Sequence, residues 1–67
     1  MQPYQQRVVD EKSQLDDKLT ALKAFWDNPL FATLPDDEKQ RLERQSVVME
    51  EYSNILGERI ANFKETP

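Results

Sequence analysis

The chain has 67 residues, neither cysteine nor histidine, and a formal net charge of −4. A chain of this length forms one domain, residues 1–67, and so small a core supplies no more than about 3–5 kcal/mol. Disulfides and cysteine or histidine metal sites are excluded as supports, so we expect self-association to stabilise the fold. The acidic balance, with no basic run, argues against a DNA or RNA partner. No apolar run approaches the roughly 20 residues that span a bilayer.

Prolines mark the ends of two predicted helices. Pro3 suits the first turn of a helix, and nothing interrupts the pattern until Asn28 and Pro29, so the first helix is predicted over residues 3–27. Residues 28–34 form a short connection. Pro35 and the acidic residues after it start the second helix, predicted over residues 35–63 with a fraying tail at 64–67. Since period-2 runs are absent, the pattern predicts an all-α antiparallel hairpin of two long helices.

Each predicted helix carries an apolar face when residues are placed at about 100° steps. The face of the first helix consists of Tyr4, Val8, Leu15, Leu19, Leu22 and Trp26, with Phe25 at its edge. The face of the second helix consists of Leu42, Met49, Leu56, Ile60 and Phe63, continued sideways by Val48, Tyr52 and Ile55. This second face spans roughly 140°, whereas one partner helix covers about 100°. The surplus predicts a further helix from another subunit.

Two features beside the second apolar face have competing explanations. A strip of small residues is either a place where another backbone approaches closely or a surface with a tolerated glycine. The strip consists of Ser46, Ser53, Gly57 and Ala61. Arg59 falls by angle inside the apolar face. Its guanidinium would snorkel to water, pair with an acid of a neighbouring helix, or hold an anionic ligand.

The residues present favour anion recognition over catalysis. The common general base and the thiol nucleophile are both missing. Tyr4 offers a ring that stacks on a base, and Lys18 offers a charge for a phosphate. They lie fourteen residues apart, about 21 Å along a helix, so one compact ligand reaches both only between two antiparallel chains. Thr20 diverges from Lys18 by about 160°, which indicates a different site. The alternatives are an aromatic cap on the open end of the hairpin for Tyr4 and ordinary helix surface for Lys18 and Thr20.

Four stretches of the sequence resemble one known family. They are YQQRVVDEK from Tyr4, LDDKL from Leu15, FATLP from Phe31 and MEEYSNILGERI from Met49, and they span nearly the whole chain. These stretches are similar to the anti-CBASS sponges, small helical-hairpin proteins of bacteriophages. The resemblance implies a compact homo-oligomer, a hexamer, that sequesters the cyclic oligonucleotides made by bacterial immune synthases. Such proteins block the activation of effectors and do not cleave their ligands.

The same resemblance implies two kinds of ligand site and no cofactor. Cyclic dinucleotides, such as 3′,3′-cGAMP, would lie between paired subunits, held by Tyr4 and Lys18. Cyclic trinucleotides would occupy separate pockets that use Thr20 and Arg59. The implied location is the cytoplasm of the infected bacterial host, with no membrane partner. The alternative function is a structural or protein-binding hairpin of a phage or prophage that has no nucleotide ligand.

Overall fold

The computed structural model describes residues 1–63 and contains three helices, α1 at Pro3–Phe25, α2 at Pro29–Ala32 and α3 at Asp36–Ala61. No strand occurs between residues 1 and 63. The predicted all-helical fold, in which two long helices pack together, is therefore confirmed. The tail that was predicted to fray, residues 64–67, lies outside the described residues.

The connection predicted over residues 28–34 contains a short helix, α2. The Asn28 side chain accepts a hydrogen bond from the Leu30 N–H at 2.9 Å, so it caps α2, and Pro29 takes the first helical position. The residues that stop α1 therefore start another helical turn. The long helices are also slightly shorter than the predicted ranges 3–27 and 35–63, because Trp26 and Asn62 act as C-terminal caps and Pro35 precedes α3 with extended backbone.

The two long helices lie antiparallel in a hairpin that is 55 Å long and 15 by 13 Å across. At the open end, the ring of Tyr4 meets the ring of Phe63 edge-on, with the centroids 6.0 Å apart. Further along, the Lys12 ammonium donates a hydrogen bond to the Ser53 hydroxyl at 3.0 Å. Residue numbers thus fall in α3 as they rise in α1, as a short connection requires.

The apolar core between α1 and α3 is very small. Within residues 1–63, Val8 and Leu56 are the buried apolar side chains, with 6% and 0% of their surface exposed. The other apolar side chains between the helices are half-buried; they include Leu15, Leu19, Leu22, Leu42, Met49 and Ile60. Such a core leaves little margin over the entropy lost when the chain is ordered.

Aromatic side chains close the other end of the hairpin. The ring of Phe31 in α2 lies 5.8 Å from that of Phe25 and 6.2 Å from that of Trp26, measured between centroids. The ammonium of Lys39 lies 5.8 Å from the centre of the Phe31 ring, within cation–π range. These contacts dock α2 onto the ends of both long helices, so the connection is packed in place.

The strip of small residues on α3 faces α1 of the same chain. Ser46 and Ser53 are 4% and 7% exposed, and the Ser53 hydroxyl bonds to Lys12 and Asp16 of α1. A Cβ atom added to Gly57 would meet the Lys12 side chain at 3.3 Å, which is closer than an ordinary contact. Ala61 is exposed. The close neighbour that the strip predicted is therefore a lysine side chain from within the hairpin, in place of another backbone.

Candidate functional site

The hairpin has two unlike sides, because the contacts between its helices fix which way each helix faces. The contact of Lys12 with Ser53 lies on one side, which we call the polar side. The contact of Tyr4 with Phe63 lies on the opposite side, which we call the aromatic side. Because helix geometry is regular, every other exposed residue can be placed relative to these contacts at about 100° steps.

The polar side is held by a closed hydrogen-bonded cluster. The Lys12 ammonium lies 2.7 Å from the Asp16 carboxylate and donates to the Ser53 hydroxyl at 3.0 Å. The Ser53 hydroxyl in turn donates to the second carboxylate oxygen of Asp16 at 2.5 Å. The hydrogen bond from Lys12, helped by the one from Ser53, holds the pKa of Asp16 below its ordinary value. The charge of Lys12 is thus engaged in joining α1 to α3.

We expect this cluster to make the stability of the hairpin depend on Asp16 in acid. A carboxyl group with a depressed folded-state pKa contributes fully above its unfolded pKa, about 3.9, and loses that contribution as the pH falls through the folded value. The melting temperature should therefore decrease when the pH is lowered past about 4. The decrease should be smaller in Asp16→Asn than in the parent chain. Asp17→Asn, an exposed neighbour without an ion pair inside residues 1–63, serves as the control. If the melting temperatures of Asp16→Asn and the parent decrease equally as the pH falls, the expectation is contradicted.

The aromatic side carries three of the four predicted site residues. Tyr4 remains 50% exposed, because Phe63 covers only part of its ring. Lys18 and Arg59 are also exposed, and their angles on α1 and α3 direct them to this side. Thr20 is exposed but leaves α1 about 160° from Lys18, on the polar side. Lys18 and Thr20 therefore face different surroundings, as their divergence predicts.

Neither predicted pair of site residues meets within one chain. Tyr4 and Lys18 lie on one side but fourteen residues apart on α1, which is about 21 Å along the axis. Thr20 lies toward the closed end and Arg59 toward the open end, about 20 Å apart by the rise of the helices, and on opposite sides. Each pair can contact one compact ligand only if its members come from different chains.

Lys18 and Arg59 lack the ionic partners that Lys23 and Arg41 have within residues 1–63. Lys23 pairs with Glu50 across the polar side, and Arg41 bonds to the Glu38 carboxylate at 3.1 Å. By contrast, neither Lys18 nor Arg59 forms an ion pair or side-chain hydrogen bond with any residue from 1 to 63. Of the three explanations for Arg59, pairing with an acid of a neighbouring helix is therefore left only for a helix of another subunit, as far as residues 1–63 are concerned.

Sequence reasoning did not single out a groove on the outer surface of α3. Its volume is about 420 Å³, and it is lined by Arg41, Arg44, Gln45, Val48 and Met49. A second groove, of about 560 Å³, runs along the polar side beside Lys12 and Gly57. The intervals of three and four residues from Arg41 to Met49 were the available signal for the first groove, since such residues share one helix surface.

Over residues 1–63, acidic side chains do not gather into any group that could hold a metal ion. The helices in the same range are all too short or too polar to cross a membrane.

A family model described as Sequestin matches residues 2–62. The chain belongs to the Sequestin family. It is also 39% identical over 64 residues to an uncharacterised 7.5 kDa protein from the denB–rIIB intergenic region of Enterobacteria phage T4. That match covers 96% of this chain and 100% of the phage protein. The resemblance to a family of small phage sponge proteins is thereby confirmed. No solved structure matches the chain.

In this member of the Sequestin family, the four predicted site residues are all accessible. Tyr4, Lys18, Thr20 and Arg59 are each classed by their surface area as exposed. A ligand or a second subunit can therefore reach every one of them without a change in the hairpin. Their assignment to two separate sites stays a prediction.

Proposed function

We propose that this protein is a phage immune-evasion protein that binds and sequesters cyclic oligonucleotide second messengers. The ligands are cyclic dinucleotides, such as 3′,3′-cGAMP, and cyclic trinucleotides. Their capture in the cytoplasm of the infected bacterium keeps them from the effectors of CBASS immunity. Membership of the Sequestin family is the observation that carries this proposal, and a phage relative that aligns over its full length supports the setting.

Lys18 and Arg59, which have no ionic partner within residues 1–63, support a phosphate ligand. Hydrogen bonds between an ionised donor and a phosphate are among the strongest that a protein surface offers, and Lys18 and Arg59 have no competing partner inside residues 1–63. The exposed half of the Tyr4 ring can stack on a base. Because Tyr4 and Lys18 are too far apart in one chain, the dinucleotide lies between antiparallel subunits of an oligomer, proposed to be a hexamer.

The protein acts by binding alone in this proposal, and it uses no metal or cofactor. The absence of histidine and cysteine from the whole sequence supports that view, because these residues supply most general bases and thiol nucleophiles. The Lys12 and Asp16 side chains, which could exchange a proton, are occupied by each other and by Ser53. Because the ligand is captured and not turned over, each binding site can remove only one ligand molecule at a time.

We expect purified protein to bind 3′,3′-cGAMP and return it unchanged. A ligand bound only by the folded form adds about 2.7 kcal/mol at 100 times its Kd, which raises the melting temperature measurably. The protein and ligand are incubated together, the protein is removed by heat or phenol, and the ligand is identified by mass spectrometry. Recovery of the intact cyclic compound is expected at every time point.

Two outcomes of this experiment would count against the proposal. Linear product that accumulates in proportion to protein and time would make the protein a hydrolase. A melting temperature that neither a cyclic dinucleotide nor a cyclic trinucleotide changes would favour the alternative, a hairpin that binds another protein through its exposed apolar residues. Val48, Tyr52 and Ile55 are among those residues.

A further inference from the structure

The contact of α3 with α1 is not centred on the apolar face of α3. When residues are placed at about 100° steps, the side chains of α3 that the hairpin buries or half-buries are centred about 70° from the middle of that face. They include Ser53, which is 7% exposed, whereas the apolar Val48 and Ile55 remain 66% and 44% exposed. The burial of apolar surface, which is non-directional, does not by itself choose this rotation of α3 about its axis.

A polar bridge between the helices, formed by Lys12, Asp16 and Ser53, does favour one rotation. The Ser53 hydroxyl accepts a hydrogen bond from the Lys12 ammonium and donates one to the Asp16 carboxylate, so one serine of α3 is held by two charged groups of α1. The two charged groups also pair with each other at 2.7 Å. Hydrogen bonds depend on direction as well as distance, so this bridge can form only when the Ser53 side of α3 faces α1.

The space around the Lys12 side chain agrees with the same rotation. Gly57 lies one helical turn beyond Ser53, and a Cβ atom there would meet the Lys12 Cε atom at 3.3 Å. A larger residue would therefore press on the stem that carries the ammonium to Ser53. Glycine is unfavourable inside a helix relative to alanine, and room for the lysine stem explains its presence here.

The rotation of α3 decides where Arg59 lies. Arg59 is exposed and leaves α3 about 100° from the centre of the contact with α1. If α1 packed against the middle of the apolar face, Arg59 would lie only about 30° from the centre of the contact. Much of its side chain would then be covered by α1.

We propose that Lys12, Asp16 and Ser53 are positioning residues that fix the rotation of α3 and so keep Arg59 accessible to a ligand. The part of this inference that concerns the ligand rests on the proposed function, in which Arg59 serves cyclic trinucleotides. The three residues do not contact the ligand themselves. They act through the helix that carries the guanidinium.

The ion pair between Lys23 and Glu50 reports the rotation without any ligand. Both side chains are nearly half exposed, so their pairing adds little to the fold, and a carbodiimide can condense them into an amide. Rotation of α3 toward the middle of its apolar face would carry Glu50 from about 80° to about 150° from the centre of the contact, out of reach of Lys23. Mass spectrometry on a mixture of isotopically labelled and unlabelled chains identifies the cross-links that form within one chain.

Ser53→Ala should lower the fraction of chains cross-linked between Lys23 and Glu50 by roughly threefold to tenfold, because it removes the hydrogen bonds that join α3 to the bridge. Ser46→Ala is the matched control. Ser46 is as deeply buried on the same helix, but its hydroxyl donates to the Glu43 carbonyl within α3. Its cross-linking should equal that of the parent. If Ser53→Ala cross-links as fully as the control, or if the parent does not cross-link, the bridge does not set the rotation.

Titration with both classes of ligand gives the functional readout. The trinucleotide affinity of Ser53→Ala should fall by the same factor as its cross-linking, because apparent affinity follows the fraction of chains in the competent rotation. Its dinucleotide affinity should stay close to that of the parent, since Tyr4 and Lys18 both lie on α1. A bridge that served stability alone would lower the melting temperature and leave both affinities unchanged.

Lys12→Met tests the same bridge from α1. Methionine keeps an unbranched apolar stem and removes the ammonium, so circular dichroism should show a folded hairpin. Cross-linking and trinucleotide affinity should fall as they do in Ser53→Ala, and this variant decides the question if Ser53→Ala does not fold.

The outcomes separate this inference from the proposed function. If cross-linking falls in both variants while trinucleotide affinity is unchanged, the bridge does not position Arg59 for a ligand, and the function stands. If the parent binds neither class of ligand, the proposed function fails, while cross-linking still decides whether the bridge sets the rotation of α3.

Discussion

Replacing Lys18 with alanine should weaken the binding of a cyclic dinucleotide about ten- to a hundredfold and leave trinucleotide affinity within a few-fold. The lost contact is a hydrogen bond between an ammonium and a phosphate, worth roughly 1.5–3 kcal/mol. Calorimetric titration of the variant with both ligands measures the two affinities. Lys23→Ala is the control, because it makes the same change in charge on the polar side, where Lys23 is paired with Glu50.

Arg59→Ala should give the reverse pattern. Trinucleotide affinity should fall at least as far as dinucleotide affinity falls in Lys18→Ala, because a guanidinium can bond a phosphate through two N–H groups. Dinucleotide affinity should remain within a few-fold of the parent. Light scattering must show that each variant keeps the parent's oligomeric mass. If either variant loses both ligands while its mass is unchanged, one shared pocket replaces the two-site arrangement.

Replacing Leu56 with alanine should remove most of the stability of the hairpin. Truncation of a fully buried leucine costs about 2–5 kcal/mol, and a chain this small has only about 3–5 kcal/mol to lose. Leu56 has no exposed surface. Urea unfolding followed by circular dichroism should therefore show a midpoint shifted to far lower denaturant, or a chain that is largely unfolded without it.

Leu30→Ala provides the comparison, since the same atoms are removed from a side chain that is 62% exposed in α2. Its urea midpoint should remain close to that of the parent. Similar losses in both variants would mean that stability does not reside in the contact between α1 and α3.

The two long helices were predictable because local signals agree with each other along most of the chain. Pro3 and Pro35 mark the helix starts, and the apolar periodicity persists between them. The turn of helix in the connection was not predicted, since Asn28 and Pro29 are read equally well as the end of one helix and the start of the next. The structure resolves the ambiguity by capping α2 with the Asn28 side chain.

The placement of the site residues was only partly predictable. The divergence of Lys18 from Thr20 follows from helix geometry alone and needs no knowledge of packing. The side of the hairpin on which Arg59 lies does not follow in this way. The apolar face of α3 is wider than α1 can cover, so the sequence does not determine which part of that face packs against α1. Ser53 decides it by bonding to Lys12 and Asp16 of α1, a contact that hydrophobicity does not signal.

The two-residue core of Val8 and Leu56 has a consequence for the lifetime of the protein in a cell. A hairpin with so little buried apolar surface opens often, and proteases cleave the opened chain at a rate that follows its population. Any partner that binds only the folded form lowers that population by mass action. Single, empty chains should therefore be degraded first, and the amount of protein that persists should follow the amount of whatever it binds.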